Sequence, residues 1–130
     1  MTIDISTDHD RLDLHWLHRS LSEEAYWARG KPPGLLRRAI DHSLCFGLFG
    51  DGRQVGFARV VTDRATFAWV SDVFVDAGHR GRGYGKRLME AIGAHPDLQN
   101  LRLWLLGTRD AHGLYEQHGF GPAASWSGGT

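Results

Sequence analysis

The chain has 130 residues, enough for one compact domain with its own apolar core and no need of disulfides or a structural metal. Fifteen Lys and Arg balance fifteen Asp and Glu, so no net field selects nucleic acid or an anionic membrane as the partner. The single Cys45 excludes an internal disulfide, the acidic start Met1-Thr2-Ile3-Asp4 is unlike a signal peptide, and no apolar run reaches the ~20 residues of a membrane span, so a reducing, cytoplasmic location is expected.

Thr2 to Ser6 alternates apolar and polar residues and reads as a short first strand; Asp8 to Asp10 offers a turn and helix start, followed by a helix from about Leu12 to Leu21. Ser22 ahead of Glu23-Glu24 reads as a new N-cap, and Lys31-Pro32-Pro33-Gly34 breaks the chain. Beyond the break, Leu35, Leu36, Ala39 and Ile40 recur at helical spacing to about Ser43.

From Leu44 the pattern changes to strands. Leu44 to Phe49, Gln54 to Thr62 and Phe67 to Val75, separated by turns at Gly50-Asp51-Gly52 and near Asp63-Arg64, predict a three-stranded antiparallel meander. The glycine-rich run Gly81-Arg82-Gly83-Tyr84-Gly85 then leads into an amphipathic helix carrying Leu88, Met89, Ala91 and Ile92 that stops near Pro96. A strand from Leu101 to Leu106, a short helix from about Asp110 to His118 and an extended piece around Phe120 to Trp126 complete a single α+β domain, residues 1–130, without internal repeats.

The chemistry concentrates after Val75. Three glycines on alternate positions before a helix permit positive φ and close approach of a ligand, so that successive N–H groups can turn toward one anion. The helix N-terminus adds partial positive charge, and Arg80, Arg82, Lys86 and Arg87 add full charges, which suits a pyrophosphate. The spelling excludes a Walker loop, which needs Gly at Arg80 and Ser or Thr at Arg87, and also the GxGxxG dinucleotide fingerprint.

With Arg80, Gly83 and Gly85 matching R-x-x-G-x-G/A, the chain resembles the GNAT superfamily of N-acetyltransferases, and the resemblance extends upstream to Val73-Phe74-Val75 and downstream to Leu114-Tyr115 and Gly119-Phe120. It implies a mostly antiparallel central sheet that splays open at Val73 to Val75, with helices on both faces and acetyl-CoA as acyl donor. Val73, Phe74 and Val75 would bond the pantetheine arm, and Arg80, Gly81, Arg82, Gly83, Tyr84, Gly85 and Lys86 would cradle the pyrophosphate. Thr108 would also contact the cofactor, although the family often has Asn at that position, and Pro and Glu where this chain has Ala77 and Gly78.

The reaction so implied is attack of a primary amine on the acetyl thioester. It needs a neutral amine, a stabilised oxyanion and a protonated leaving thiolate. Tyr115 matches the family's general acid. Asp72 would draw the proton from the amine or orient the substrate; the polyamine-acetylating branch has an acidic pair where this chain has Ser71-Asp72. A strand bulge near Phe74 and Val75 would polarise the thioester carbonyl.

Tyr26 and Trp27 stand where the family's segment between the first two helices covers the acceptor, and with Asp72 they are the substrate-binding candidates. Asp63, Asp72, Glu23 and Glu24 would form an acidic pocket for a cationic amine if the fold brings them together. Of the eight histidines, His15 and His18 sit three apart without an accompanying carboxylate motif and His112 and His118 are not in a known ligand spacing, so no metal is expected, and Cys45 reads as a buried structural thiol. The expected partners are acetyl-CoA and an amine acceptor, a small molecule before a protein N-terminus or lysine, with a homodimer allowed by the resemblance. The contrasting readings are an acyl-CoA-binding module without turnover and a structural domain whose loop binds no CoA.

Overall fold

The computed structural model describes residues 1–24 and 30–106. Five strands form one sheet in the order β1 (Ile3–Ser6), β2 (Leu44–Gly50), β3 (Arg53–Thr62), β4 (Phe67–Val75) and β5 (Leu103–Leu106). The first four pair antiparallel, so the expected three-stranded meander is extended by β1, whose Ile3 lies opposite Gly50. A two-residue turn with positive φ at Asp51 and Gly52 closes the β2–β3 hairpin, and Asp51 ties it to β1 by accepting from the Thr2 N–H at 2.8 Å.

β5 pairs parallel with β4, from Phe67 opposite Leu103 to Val70 opposite Leu106. A parallel neighbour requires a long crossover, and the glycine loop with helix α3 (Tyr84–Ala94) and a 3-10 turn at Pro96–Leu98 supplies it. The loop therefore lies at the carboxyl end of β4, where the sheet changes from antiparallel to parallel.

Helices cover both faces of the sheet. On one face, Leu88, Met89 and Ile92 of α3 pack on Phe46, Leu48, Ala58, Val60, Ala68 and Val70. On the other, Trp16, Leu17 and Leu21 of α1 (Leu14–Glu24) and Leu36 and Ile40 of α2 (Pro33–Asp41) pack on Cys45 and Phe57. Fully buried groups such as Leu17, Leu21, Phe57 and Leu88 each contribute about 1.5–3 kcal/mol of transfer free energy.

Two helix boundaries differ from the sequence reading. Ser22 is not an N-cap: α1 runs through it because Leu17 and Leu21 continue one buried stripe, and Asp13 caps the helix by accepting from the Trp16 N–H at 3.0 Å. α2 begins two residues earlier than Leu35, with Pro33 at its first turn, where a fixed φ and a missing N–H cost nothing.

Candidate active site

The loop after β4 starts with a 3-10 turn at Ala77–His79, then passes through Arg80 to Gly81 and Gly83, both at φ +79°. Gly83 is the N-cap of α3, in left-handed conformation, with no side chain closing the helix end. A Cβ at either glycine would meet nothing within 4 Å, so the left-handed backbone, not crowding, selects glycine here. An α-helix leaves its first N–H groups without intrahelical acceptors, and the macrodipole adds positive potential at the same point. Arg82, Lys86 and Arg87 are exposed around this end. Arg80 also ties the loop to β4, its Nε donating to the Val75 carbonyl at 2.9 Å.

The helix is held in place by a close approach to the sheet. A Cβ at Gly56 would lie 3.2 Å from Cβ of Leu48 and 3.5 Å from both Cδ1 of Leu88 and the Phe74 carbonyl oxygen. The first turn of α3 is thereby set beside the end of β4.

Val73, Phe74 and Val75 are half-buried and pair with β3 along one edge. Among the described residues, β4 pairs with β5 from Phe67 to Val70, opposite Leu106, the last residue described. Phe74 points to the α1–α2 face, stacked on Trp16 with ring centroids 5.6 Å apart and tilted on Phe57 at 5.7 Å.

The strand irregularity is not at Phe74 and Val75, as expected from the sequence, but at Ser71. The register is continuous from Gly56 opposite Val75 to Arg59 opposite Asp72, then jumps to Val60 opposite Val70, so Ser71 is an extra residue on β4. The packing requires this shift: Ala68 and Val70 face α3, and so do Val73 and Val75, a change of parity that a regular strand cannot make. The bulge consequently turns Asp72 away from the α3 core and onto the α1–α2 face with Arg59 and Phe74.

Asp72 is buried, and its Oδ2 accepts from Nε of Arg59 at 2.8 Å. Arg59, equally buried, donates through Nη2 to Ser71 Oγ at 2.8 Å and through Nη1 to Ser43 Oγ at 3.1 Å, while Ser43 Oγ donates to the Ala39 carbonyl at 2.7 Å. Sequence reasoning did not single out Arg59. The available signal was a lone cation in the apolar run Val55 to Val61, where a buried strand position demands a paired charge.

Asp63 does not join Asp72 in the expected acidic pocket, and the side chain of Glu24 lies outside the described residues. Asp63 closes the β3–β4 turn, accepting from the N–H groups of Ala65, Thr66 and Phe67 and from the Thr66 hydroxyl. These bonds, that from the Thr66 side chain foremost, hold its carboxyl well below the usual carboxylate range. Asp63 is four strand residues from Arg59, about 13 Å along the chain, and Glu23 is exposed near the end of α1. Cys45 is buried as expected, its thiol directed at the Ile40 carbonyl at 3.5 Å, and burial pushes it up to about 12. Tyr26, Trp27, Thr108 and Tyr115, together with the predicted helix and extended piece beyond Asp110, lie outside the described residues.

Residues 41–122 match a family model described as an acetyltransferase (GNAT) domain. The chain belongs to the GNAT acetyltransferase family. Among solved structures, this GNAT domain is similar to an acetyltransferase assigned to the same family from Xanthomonas campestris pv. campestris, at 58% identity and a TM-score of 0.89 over 94% of this chain and 86% of that one. It is 31% identical to a candidate acetyltransferase of Gibberella zeae, over 83% of this chain and 73% of the relative. A ribosomal-protein-alanine N-acetyltransferase from Brucella melitensis biovar Abortus 2308 shares the fold, with a TM-score of 0.72 at 24% identity over 97% and 96% of the two chains. The GNAT fold is thus established, and the helices on both faces of a mixed, mostly antiparallel sheet agree with it.

Proposed function

We propose that this GNAT domain transfers the acetyl group of acetyl-CoA to a primary amine of a small acceptor. The observation that carries the reading is the end of α3: two left-handed glycines, an N-terminus without a side-chain cap and exposed Arg82, Lys86 and Arg87 suit the pyrophosphate of CoA. The peptide edge of Val73 to Val75, half-buried and next to that loop, suits the pantetheine arm, with Arg80, Gly81, Tyr84, Gly85 and Thr108 completing the donor site.

In this reading the neutral amine nitrogen forms a bond to the thioester carbon and then loses its surplus proton to solvent, the carbon–sulfur bond breaks, and the sulfur leaves as thiolate. Tyr115 gives its phenolic proton to that sulfur; a phenol, with an ordinary pKa of ~10, still holds it at neutral pH. An alkylamine with a pKa of ~10.4 arrives protonated, and Asp72 takes that proton, directly or through water. The bond from Arg59 Nε to Oδ2 fixes the direction of the Asp72 carboxyl, which serves orientation of the amine. Tyr26 and Trp27 would line the acceptor.

The test is release of CoA thiol from acetyl-CoA against a panel of primary amines, with Tyr115→Phe in parallel. Amine-dependent release that falls about 100-fold or more in the variant, with acetyl-CoA binding retained, supports the reading. Acetyl-CoA binding without turnover for any amine or peptide N-terminus would instead favour an acyl-CoA-binding module.

A further inference from the structure

We infer that Arg59 is a positioning residue for the acceptor amine: bonded to both Ser71 and Asp72 at the bulge, it fixes the direction in which the carboxylate of Asp72 is presented on the α1–α2 face. The inference rests on the proposed role of Asp72 toward the amine and assigns the residue that makes that role possible.

Three observations converge on it. Without the extra residue, Asp72 would share the parity of Ala68 and Val70 and point into the apolar core under α3, where a carboxylate has no place. The extra residue is Ser71, whose buried hydroxyl accepts from Nη2 of Arg59 at 2.8 Å. The same guanidinium holds Asp72 through Nε at 2.8 Å, so one planar group fixes both the bulge and the residue that the bulge redirects.

The third nitrogen, Nη1, reaches Ser43 Oγ, and Ser43 is in turn bound to the Ala39 carbonyl in α2. The guanidinium therefore links β4 to the helix that covers this face of the sheet. Arg59 lies opposite Cys45 on β2 and opposite Asp72 on β4. Its position is set from both neighbouring strands and from α2. Arg59 acts through Asp72 and Ser71, while the loop at Arg80 to Lys86 belongs to another part of the chain and Val73 to Val75 keep their own register on β3, so the larger consequence falls on the acceptor and a smaller one on acetyl-CoA through the neighbouring Val73 to Val75 edge.

Arg59→Lys keeps the charge but cannot present three fixed donors, and Ser71→Ala removes the bulge contact with little change of size. Steady-state kinetics with an amine found active for the wild type, alongside acetyl-CoA affinity by calorimetry, read the effect. Both variants are expected to lose more in kcat/KM for the amine, about 10- to 100-fold, as displacement of a positioned group by about 1 Å costs, than in affinity for acetyl-CoA. Arg59→Lys is expected to add little to the loss already caused by Asp72→Asn, because Arg59 acts through that carboxylate. Folded Arg59→Lys and Ser71→Ala proteins with wild-type kcat/KM, or losses that multiply in the double variant, would overturn the inference. A wild type that fails to bind acetyl-CoA would overturn the function reading on which it rests, a result distinguishable from wild-type turnover that Arg59→Lys leaves untouched.

Discussion

Replacing Arg59 with Met leaves the Asp72 carboxylate, only 6% exposed, facing an apolar side chain in place of a guanidinium at 2.8 Å. Removing one partner of a buried ion pair costs about 3–5 kcal/mol, because the remaining charge has lost water and gained nothing in exchange. For a chain of 130 residues the entropy of unfolding makes each kcal/mol worth about 3.7 °C, so the melting temperature is expected to fall by about 11–18 °C. The combined change Arg59→Met with Asp72→Leu removes both charges and is expected to recover most of that loss, since an apolar pair of similar volume often matches a buried ion pair. Ser43 and Ser71 both lose the Arg59 donor in this background, but Ser43 keeps its bond to the Ala39 carbonyl. Urea and thermal unfolding of the two single variants and the double variant give the coupling directly. A single Arg59→Met change costing less than about 1 kcal/mol would refute the reasoning, because that is the value of a solvent-screened surface pair.

The Cys45 thiol, pushed up to about 12 by burial, is expected to resist alkylation at pH 8 in the native protein and to react fully in denaturant, as counted by thiol titration; rapid native reaction would contradict its buried position. Asp63, whose folded value is lowered by its turn hydrogen bonds, contributes stability that is full above about pH 4 and is lost as pH falls through the folded value. The stability deficit of Asp63→Ala measured by urea unfolding is accordingly expected to be widest near pH 6 and to narrow below about pH 4; a deficit that widened in acid would reverse the sign of this account. Gly83→Ala should cost about 1–2 kcal/mol of stability from its φ of +79° alone, since its Cβ meets no neighbour, and a calorimetric titration is expected to show weakened acetyl-CoA binding as well.

Elements with a strong local pattern were legible in the sequence. β4 occupies Phe67 to Val75 as read, β2 and β3 differ by a residue, and the loop from Arg80 to Lys86 opens a helix as its alternate glycines require. Ser22 misled because a Ser-Glu-Glu start signal is local, whereas the burial of Leu17 and Leu21 that keeps α1 going is tertiary. The bulge was misplaced for a similar reason: register belongs to the pairing of two strands and is not written in either one. Arg59 was hidden because strand patterns were read for their apolar residues, and its three partners, Ser43, Ser71 and Asp72, come from separate stretches of chain. Asp63 shows the converse, a carboxylate counted as pocket chemistry that the turn at Thr66 consumes.

The most direct test of the central claim is thermal unfolding of the purified protein with and without acetyl-CoA. A ligand at about 100 times its Kd adds about 2.7 kcal/mol, or about 10 °C for a chain of this size, and the shift should be absent with NAD or ATP. An equal shift with all three would mark the loop as a general anion site, and no shift at millimolar acetyl-CoA would contradict the donor site at Gly81 to Lys86 and every catalytic role built on it.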